Sequence, residues 1–205
     1  MLFIITAPSG AGKSSLLQAL MKQDPSLGLS ISYTTRPPRP GEEDGREYHF
    51  TTVSAFLEKQ SMGEFLESAH VHGNYYGTSR RLILERLNTG KDTFLEIDWQ
   101  GAMQIKEQLA DTISIFILPP SIATLEERLH KRGQDSPEVI ARRLQAASAE
   151  ISHASGFDYA IINEDFDLAL SQLAAIVKAA RCRLPRQVAT HAELFKQFGI
   201  VSGIH

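Results

Sequence analysis

The stretch Ala7-Pro8-Ser9-Gly10-Ala11-Gly12-Lys13-Ser14-Ser15 collects residue types that can grip a polyanion. Its two glycines let backbone N–H groups turn toward one point and let a phosphate approach the main chain closely. Lys13 adds a mobile point charge for the outer phosphates, and the Ser14 hydroxyl is of the kind that ligates Mg²⁺. The apolar run "LFIIT" stands just before this stretch, and a helical pattern begins at Ser14. That is the strand, loop and helix setting a phosphate loop requires. Residues Ala7 to Ser15 are therefore the expected ATP cradle, with ATP and Mg²⁺ as cofactors. Ala7 stands where the usual pattern has glycine. At a strand end an alanine with negative φ fits at small cost.

A second cationic group lies in "TTRPPRPGE". Its prolines hold the chain near polyproline II, which repeats every three residues, so Arg36 and Arg39 are expected on one side as a guanidinium clamp for a second phosphate. Tyr48 and "GNYYGTS", which contains Tyr76 and Thr78, bring hydroxyl groups to the same region. Asp98 ends the apolar run "TFLEID". It either orders Mg²⁺-bound water or a group of the second ligand, or it caps the helix that follows. Arg128 and Arg132 are spaced i,i+4 and share one helix face, which can close over a transferring phosphoryl group. Arg142 and Arg143 point about 100° apart, so at most one is expected to reach inward. Asn163 and Asp165 follow the last strand and are expected to border the adenine. Transfer to an acceptor that is already anionic needs alignment and charge neutralisation, so a missing base is no objection.

These side chains need a frame. "LFIIT", "TFLEID", "SIFIL" and "YAIIN" read as strands, and helical patterns follow at Ser14–Met21, Ser79–Leu87, Trp99–Leu109 and Asp167–Cys182. The alternation predicts an α/β fold with a parallel sheet flanked by helices. Two stretches interrupt it: residues 32–80, with short strand-like pieces "EYHFTT" and "EFLESAHV", and the arginine-rich helical residues 121–157. In the second, Ser136-Pro137-Glu138 is a good helix start.

Composition narrows the field. The 205 residues carry 21 Lys and Arg against 24 Asp and Glu, a net charge of −3, which lacks the basic excess of a nucleic-acid or anionic-membrane binder. The single cysteine, Cys182, is expected to be a buried structural thiol, and the cysteine usage fits the cytoplasm. No apolar run reaches the ~20 residues of a membrane span. The seven histidines show no metal-ligand spacing, and His70 and His72 alternate on a strand as polar-face residues. Whether the chain is a monomer or a homo-oligomer stays open.

Taken in order, the phosphate loop, "TTRPPRPGE", "GNYYGTS", "EIDWQG" and "RGQDSPEVIARR" resemble the guanylate kinase family over about residues 2–182. The resemblance implies a P-loop NTPase core (1–31, 81–120 and 158–205), a GMP-binding insert (32–80) and a helical lid (121–157). It implies ATP-dependent phosphorylation of GMP, and of dGMP, in purine nucleotide metabolism. By the same resemblance Ser32, Arg36, Arg39, Tyr48 and Tyr76 hold the GMP phosphate, Glu67 and Thr78 read guanine, and Arg128, Arg132 and Arg143 are the lid and transfer arginines. Glu67 can accept from guanine N1–H and N2–H₂ in parallel, and Thr78 can donate to O6. Two departures, Ala7 and Glu96 in place of the more usual aspartate, are expected to lie outside the transfer chemistry. The rivals are a catalytically silent relative that binds proteins, and a P-loop kinase with another small acceptor.

Overall fold

The computed structural model describes residues 1–71, 73–132 and 137–200; the side chain of Arg132 lies outside that description, as do His72 and Ser136. The chain runs β1 (Leu2–Thr6), α1 (Lys13–Gln23), β2 (Gly28–Ser30), β3 (Tyr33–Thr34), β4 (His49–Phe50) and α2 (Val53–Ser61). It continues through β5 (Phe65–Val71), β6 (Asn74–Ser79), α3 (Arg80–Asn88), β7 (Thr93–Glu96), α4 (Trp99–Gln108) and β8 (Ile113–Leu118). The last part holds α5 (Ile122–Arg132), α6 (Pro137–Ile151), β9 (Tyr159–Ile162), α7 (Phe166–Arg181), α8 (Leu184–Thr190) and α9 (Ala192–Gln197).

All five residues of β1 are buried, and their alternation feeds two faces. Phe3 and Ile5 pack with Leu16, Leu17 and Leu20 of α1 and Leu173 and Val177 of α7. Leu2 and Ile4 point the other way, to Ile83 of α3 and Ala102 and Ile105 of α4. A strand covered on both sides must be apolar throughout, which is why "LFIIT" shows no polar alternation. Burying each such side chain stabilises the fold by about 1.5–3 kcal/mol. The sheet is ordered β2-β7-β1-β8-β9 with every pairing parallel. This is the P-loop NTPase arrangement, and it gathers the carboxyl ends of β1 and β7 at one edge, where ligands of such sheets bind.

Residues 32–80 form a second sheet, β4-β3-β6-β5, mostly antiparallel, with α2 against it. The strand-like reading of this stretch missed α2, although Thr52 caps it by accepting the Ala55 N–H at 3.2 Å. A register shift between Phe65 and Glu67 interrupts the β5–β6 pairing. Helices α5 and α6 carry a small apolar cluster of their own, Leu125, Leu129, Ile140 and Ala147, separate from the two sheet faces. Cys182 is exposed rather than buried, because it lies at the C-cap where α7 ends at the surface. Among the described residues no helix is long and apolar enough to cross a membrane.

Candidate functional site

A cavity of about 470 Å³ opens where the two sheets and the α5–α6 pair meet. Its floor is the loop after β1. Gly10 and Gly12 have φ of 93° and 91°, a left-handed backbone that other residues resist. Ala7, Pro8, Ser9, Lys13, Ser14 and Ser15 line the cavity with these glycines, while Ala11 is fully buried beneath them. Asn163 is buried too: its amide Nδ2 donates to the Ala11 carbonyl at 2.7 Å. A Cβ on Gly12 would stand 2.4 Å from that nitrogen. Asn163 therefore braces the loop from below. Asp165 caps α7 by accepting the Leu168 N–H at 2.8 Å, so it too has a local structural partner.

Glu96, at the end of β7, is the residue the motif reading set aside. Ser14 Oγ donates to its Oε1, and Lys13 Nζ lies 3.9 Å from the same oxygen. The carboxylate thus faces both polar side chains of the phosphate loop, so the departure from aspartate falls inside the site. Among the described residues no cluster of three or more His, Cys, Asp or Glu could hold a metal ion unaided. One hydroxyl beside one carboxylate suits a hard cation that takes most of its oxygens from phosphate and water.

The insert forms the facing wall with Ser32, Arg39, Tyr48, Glu67 and Tyr76. Glu67 is 3% exposed, and burial pushes its carboxyl up to about 7, opposed by a hydrogen bond from Thr78. The Thr78 hydroxyl, itself fully buried, donates to Glu67 Oε1 at 2.5 Å and lies 3.4 Å from Ser32 Oγ. It is thus engaged with the acid it was expected to flank. The second oxygen, Oε2, lies against α4 at Gly101, where a Cβ would stand 2.4 Å away. The glycine of "EIDWQG" is therefore what lets the helix pass the carboxyl, a requirement that appears only when the two segments are brought together. Tyr48 stacks edge-on to Tyr76 with centroids 5.9 Å apart. Burial pushes the Tyr48 phenol up to about 12, so it keeps its proton and remains a donor.

The two guanidinium groups of the expected clamp have different surroundings. Arg39 lines the cavity, whereas Arg36 Nη2 donates to both oxygens of Glu42 at 2.9 Å and Nη1 donates to the Pro37 carbonyl at 2.8 Å. The cause is the turn after the prolines. Gly41 takes φ 86°, Glu42 N–H donates back to the Arg39 carbonyl, and the Glu42 carboxylate returns beside Arg36. The guanidinium also sits 5.3 Å from the Tyr48 ring centroid. Polyproline periodicity could not anticipate an acid folded back by a glycine.

Asp98 fulfils the capping reading. It caps α4 by accepting the Gly101 N–H at 3.0 Å, and it also lines the cavity. From α5, Arg128 enters the cavity while Nη2 donates to the Asn163 carbonyl at 2.8 Å. The Arg132 side chain lies outside the described residues, and Arg143 is half-buried on α6. Glu150, which the sequence reading passed over, lines the cavity from the last turn of α6. Burial raises its carboxyl to about 7, while the charge of Lys13 pulls the other way.

A parallel sheet whose first strand runs into a glycine-turned, lysine-bearing loop defines a P-loop NTPase. The guanylate kinase family profile matches residues 1–180. A guanylate kinase of Paraburkholderia xenovorans (strain LB400) is 59% identical over 199 residues, 97% of this chain and 88% of the relative. One of Thiobacillus denitrificans (strain ATCC 25259 / T1) is 55% identical, covering 96% and 94%. The crystal structure of guanylate kinase from Anaplasma phagocytophilum superposes with a TM-score of 0.80 at 32% identity, covering 99% of this chain and 97% of that one. The chain belongs to the guanylate kinase family, and it is a kinase.

Proposed function

We propose that this cavity is where the γ-phosphoryl group of ATP passes to GMP. The activity is that of an ATP:GMP phosphotransferase, yielding ADP and GDP in purine nucleotide metabolism. The observation that carries the reading is the sharing of one cavity by the phosphate loop and the buried Glu67 carboxyl. A triphosphate suits the loop, where Gly10 and Gly12 open the backbone and Lys13 meets the outer phosphates. Guanine suits Glu67, because N1–H and N2–H₂ are adjacent donors for a buried carboxylate that lines the cavity. Adenine would turn an N1 lone pair toward that acid, and an unpaired buried acceptor costs about 1–3 kcal/mol. Ser32, Arg36, Arg39, Tyr48 and Tyr76 are disposed to hold the acceptor phosphate, with Arg36 paired to Glu42.

Mg²⁺ would be held by Ser14, with Glu96 reaching it through water, and would neutralise phosphate charge. Lys13 aligns the outer phosphates, Arg128 approaches from α5, and the acceptor oxygen attacks without a base because it is already anionic. We divide the chain into a core (1–31, 81–120 and 158–205), an insert (32–80) and a lid (121–157). The separate apolar cluster of α5 and α6 supports the last. Arg132 and Arg143 are assigned to transfer by resemblance. dGMP, which the family resemblance implies, is a second acceptor. The single cysteine suits a cytoplasmic protein. A coupled ADP-release assay over GMP, dGMP, AMP and UMP tests the reading: GMP and dGMP are turned over, AMP and UMP at least ~10³-fold less efficiently. Comparable turnover of AMP would overturn it.

A further inference from the structure

One stripe of α4 receives the whole segment that leaves α6. Lys106 Nζ donates to the Gly156 carbonyl at 2.8 Å and to Asp158 Oδ1 at 3.1 Å. Met103, one turn earlier, packs on Gly156, where a Cβ would stand 3.3 Å from its Sδ. Trp99, one turn earlier again, stacks flat on His153, with ring centroids 3.4 Å apart and planes 7° from parallel. Positions 99, 103 and 106 lie on one helix face. Neither Trp99 nor His153 belongs to an apolar core cluster. Their stack is the contact of this stripe nearest α6, and Glu150, three residues before His153, lines the nucleotide cavity with Lys13.

The same first turn of α4 meets the acceptor side. Asp98 caps it and lines the cavity, and Gly101 abuts Glu67 Oε2. We propose that Trp99 is a positioning residue: through its stack on His153 it ties the exit of the α5–α6 lid to the turn that holds Asp98 and abuts Glu67, so that lid position and acceptor binding move together. The inference rests on reading residues 121–157 as a lid. Lys106 and Met103 anchor the far end of the segment, and the Trp99–His153 stack transmits movement at the near end. Flat rings keep contact over small sliding displacements, which suits a joint between moving parts.

The test is the ratio of GMP dissociation constants without and with Mg²⁺ and a β,γ-imido ATP analogue, in wild type, His153→Ala, His153→Phe and Trp99→Leu. Coupling between sites is typically about 5-fold or more, so the wild-type ratio is expected there. In His153→Ala the ratio falls to within about twofold of unity, while GMP affinity alone stays within about twofold of wild type. His153→Phe, which keeps a flat ring, restores it. Trp99 is the sole tryptophan, so its emission follows the stack directly and shifts in the wild type when both nucleotides bind. If His153→Ala does not fold, Trp99→Leu, which removes the flat ring from the other side of the stack, reads the same ratio and is expected to lower it. A high wild-type ratio left intact in folded His153→Ala, or in folded Trp99→Leu, would overturn the inference alone. A wild-type ratio of one would remove the closing lid as well, while GMP turnover in the same preparation would leave the kinase reading standing.

Discussion

The two walls of the cavity are built in opposite ways. The phosphate loop is a local structure: nine consecutive residues, from the end of one strand into the first turn of one helix, supply its glycines, lysine and hydroxyls. The acceptor wall is assembled from distant segments, with Glu67 on β5, Thr78 on β6, Ser32 before β3 and Gly101 on α4. The first needs only a strand end and a helix start to take shape. The second exists only once two sheets and a helix have docked, so its chemistry depends on packing as much as on residue type. Damage should therefore separate along that line: loop substitutions strike turnover, and acceptor-wall substitutions strike GMP affinity and selectivity.

The largest expected effect is at the loop. Lys13→Ala should lower kcat on the order of 10²–10³, because a preorganised charge on the migrating phosphoryl group is lost. Circular dichroism should show an unchanged fold, and steady-state ADP release gives the rate. Next comes the acceptor wall. Glu67→Gln should lower kcat/KM for GMP by about 10–10² and narrow the gap between GMP and AMP, since an amide presents one acceptor and one donor where guanine offers two donors. Parallel kinetics with both nucleotides measure it, and a gap unchanged within threefold would remove Glu67 as the base reader.

Protonation probes the same contrast more gently. Burial raises Glu67 to about 7, so below that pH it carries a proton and one of its acceptor oxygens becomes a donor. The KM for GMP should rise on the order of tenfold between pH 7.5 and 5.5. The acceptor phosphate titrates near ~6 as well, and Glu67→Gln should retain only that component. Stability runs the other way. A carboxyl raised above its unfolded value of 4.5 favours folding while protonated, so its contribution is full below 4.5 and is lost as pH rises through about 7. Thermal midpoints of wild type and Glu67→Gln across that window should converge at low pH and separate at high pH, with the wild type lower.

The smallest effect is expected at Glu42, which binds Arg36 from behind. Glu42→Ala frees the guanidinium and the turn, and should change the KM for GMP by about threefold with kcat nearly constant, in line with about 0.5–1.5 kcal/mol for one hydrogen-bonded contact. Initial-rate measurements at saturating ATP resolve it. A large fall in kcat would mean that the pair orients Arg36 for transfer.

Much of this protein is legible in its residues alone. The run "LFIIT" announced a strand covered on both faces, and α1, α3, α4 and α7 begin and end within two residues of their expected limits. The phosphate loop was readable because its function resides in consecutive residues whose φ, size and charge are local properties. Tertiary structure alone decided the rest. It brought Glu96 onto Ser14 across 82 residues, turned Asn163 under Ala11 across 152, and set Gly101 against Glu67. It also folded Glu42 back onto Arg36 and brought Glu150 from α6 to the same cavity as Lys13. An acid or amide that finds its partner through space leaves no periodic trace along the chain. Its environment, and with it the Glu67 carboxyl raised to about 7, comes into being only when the surrounding segments exclude water together.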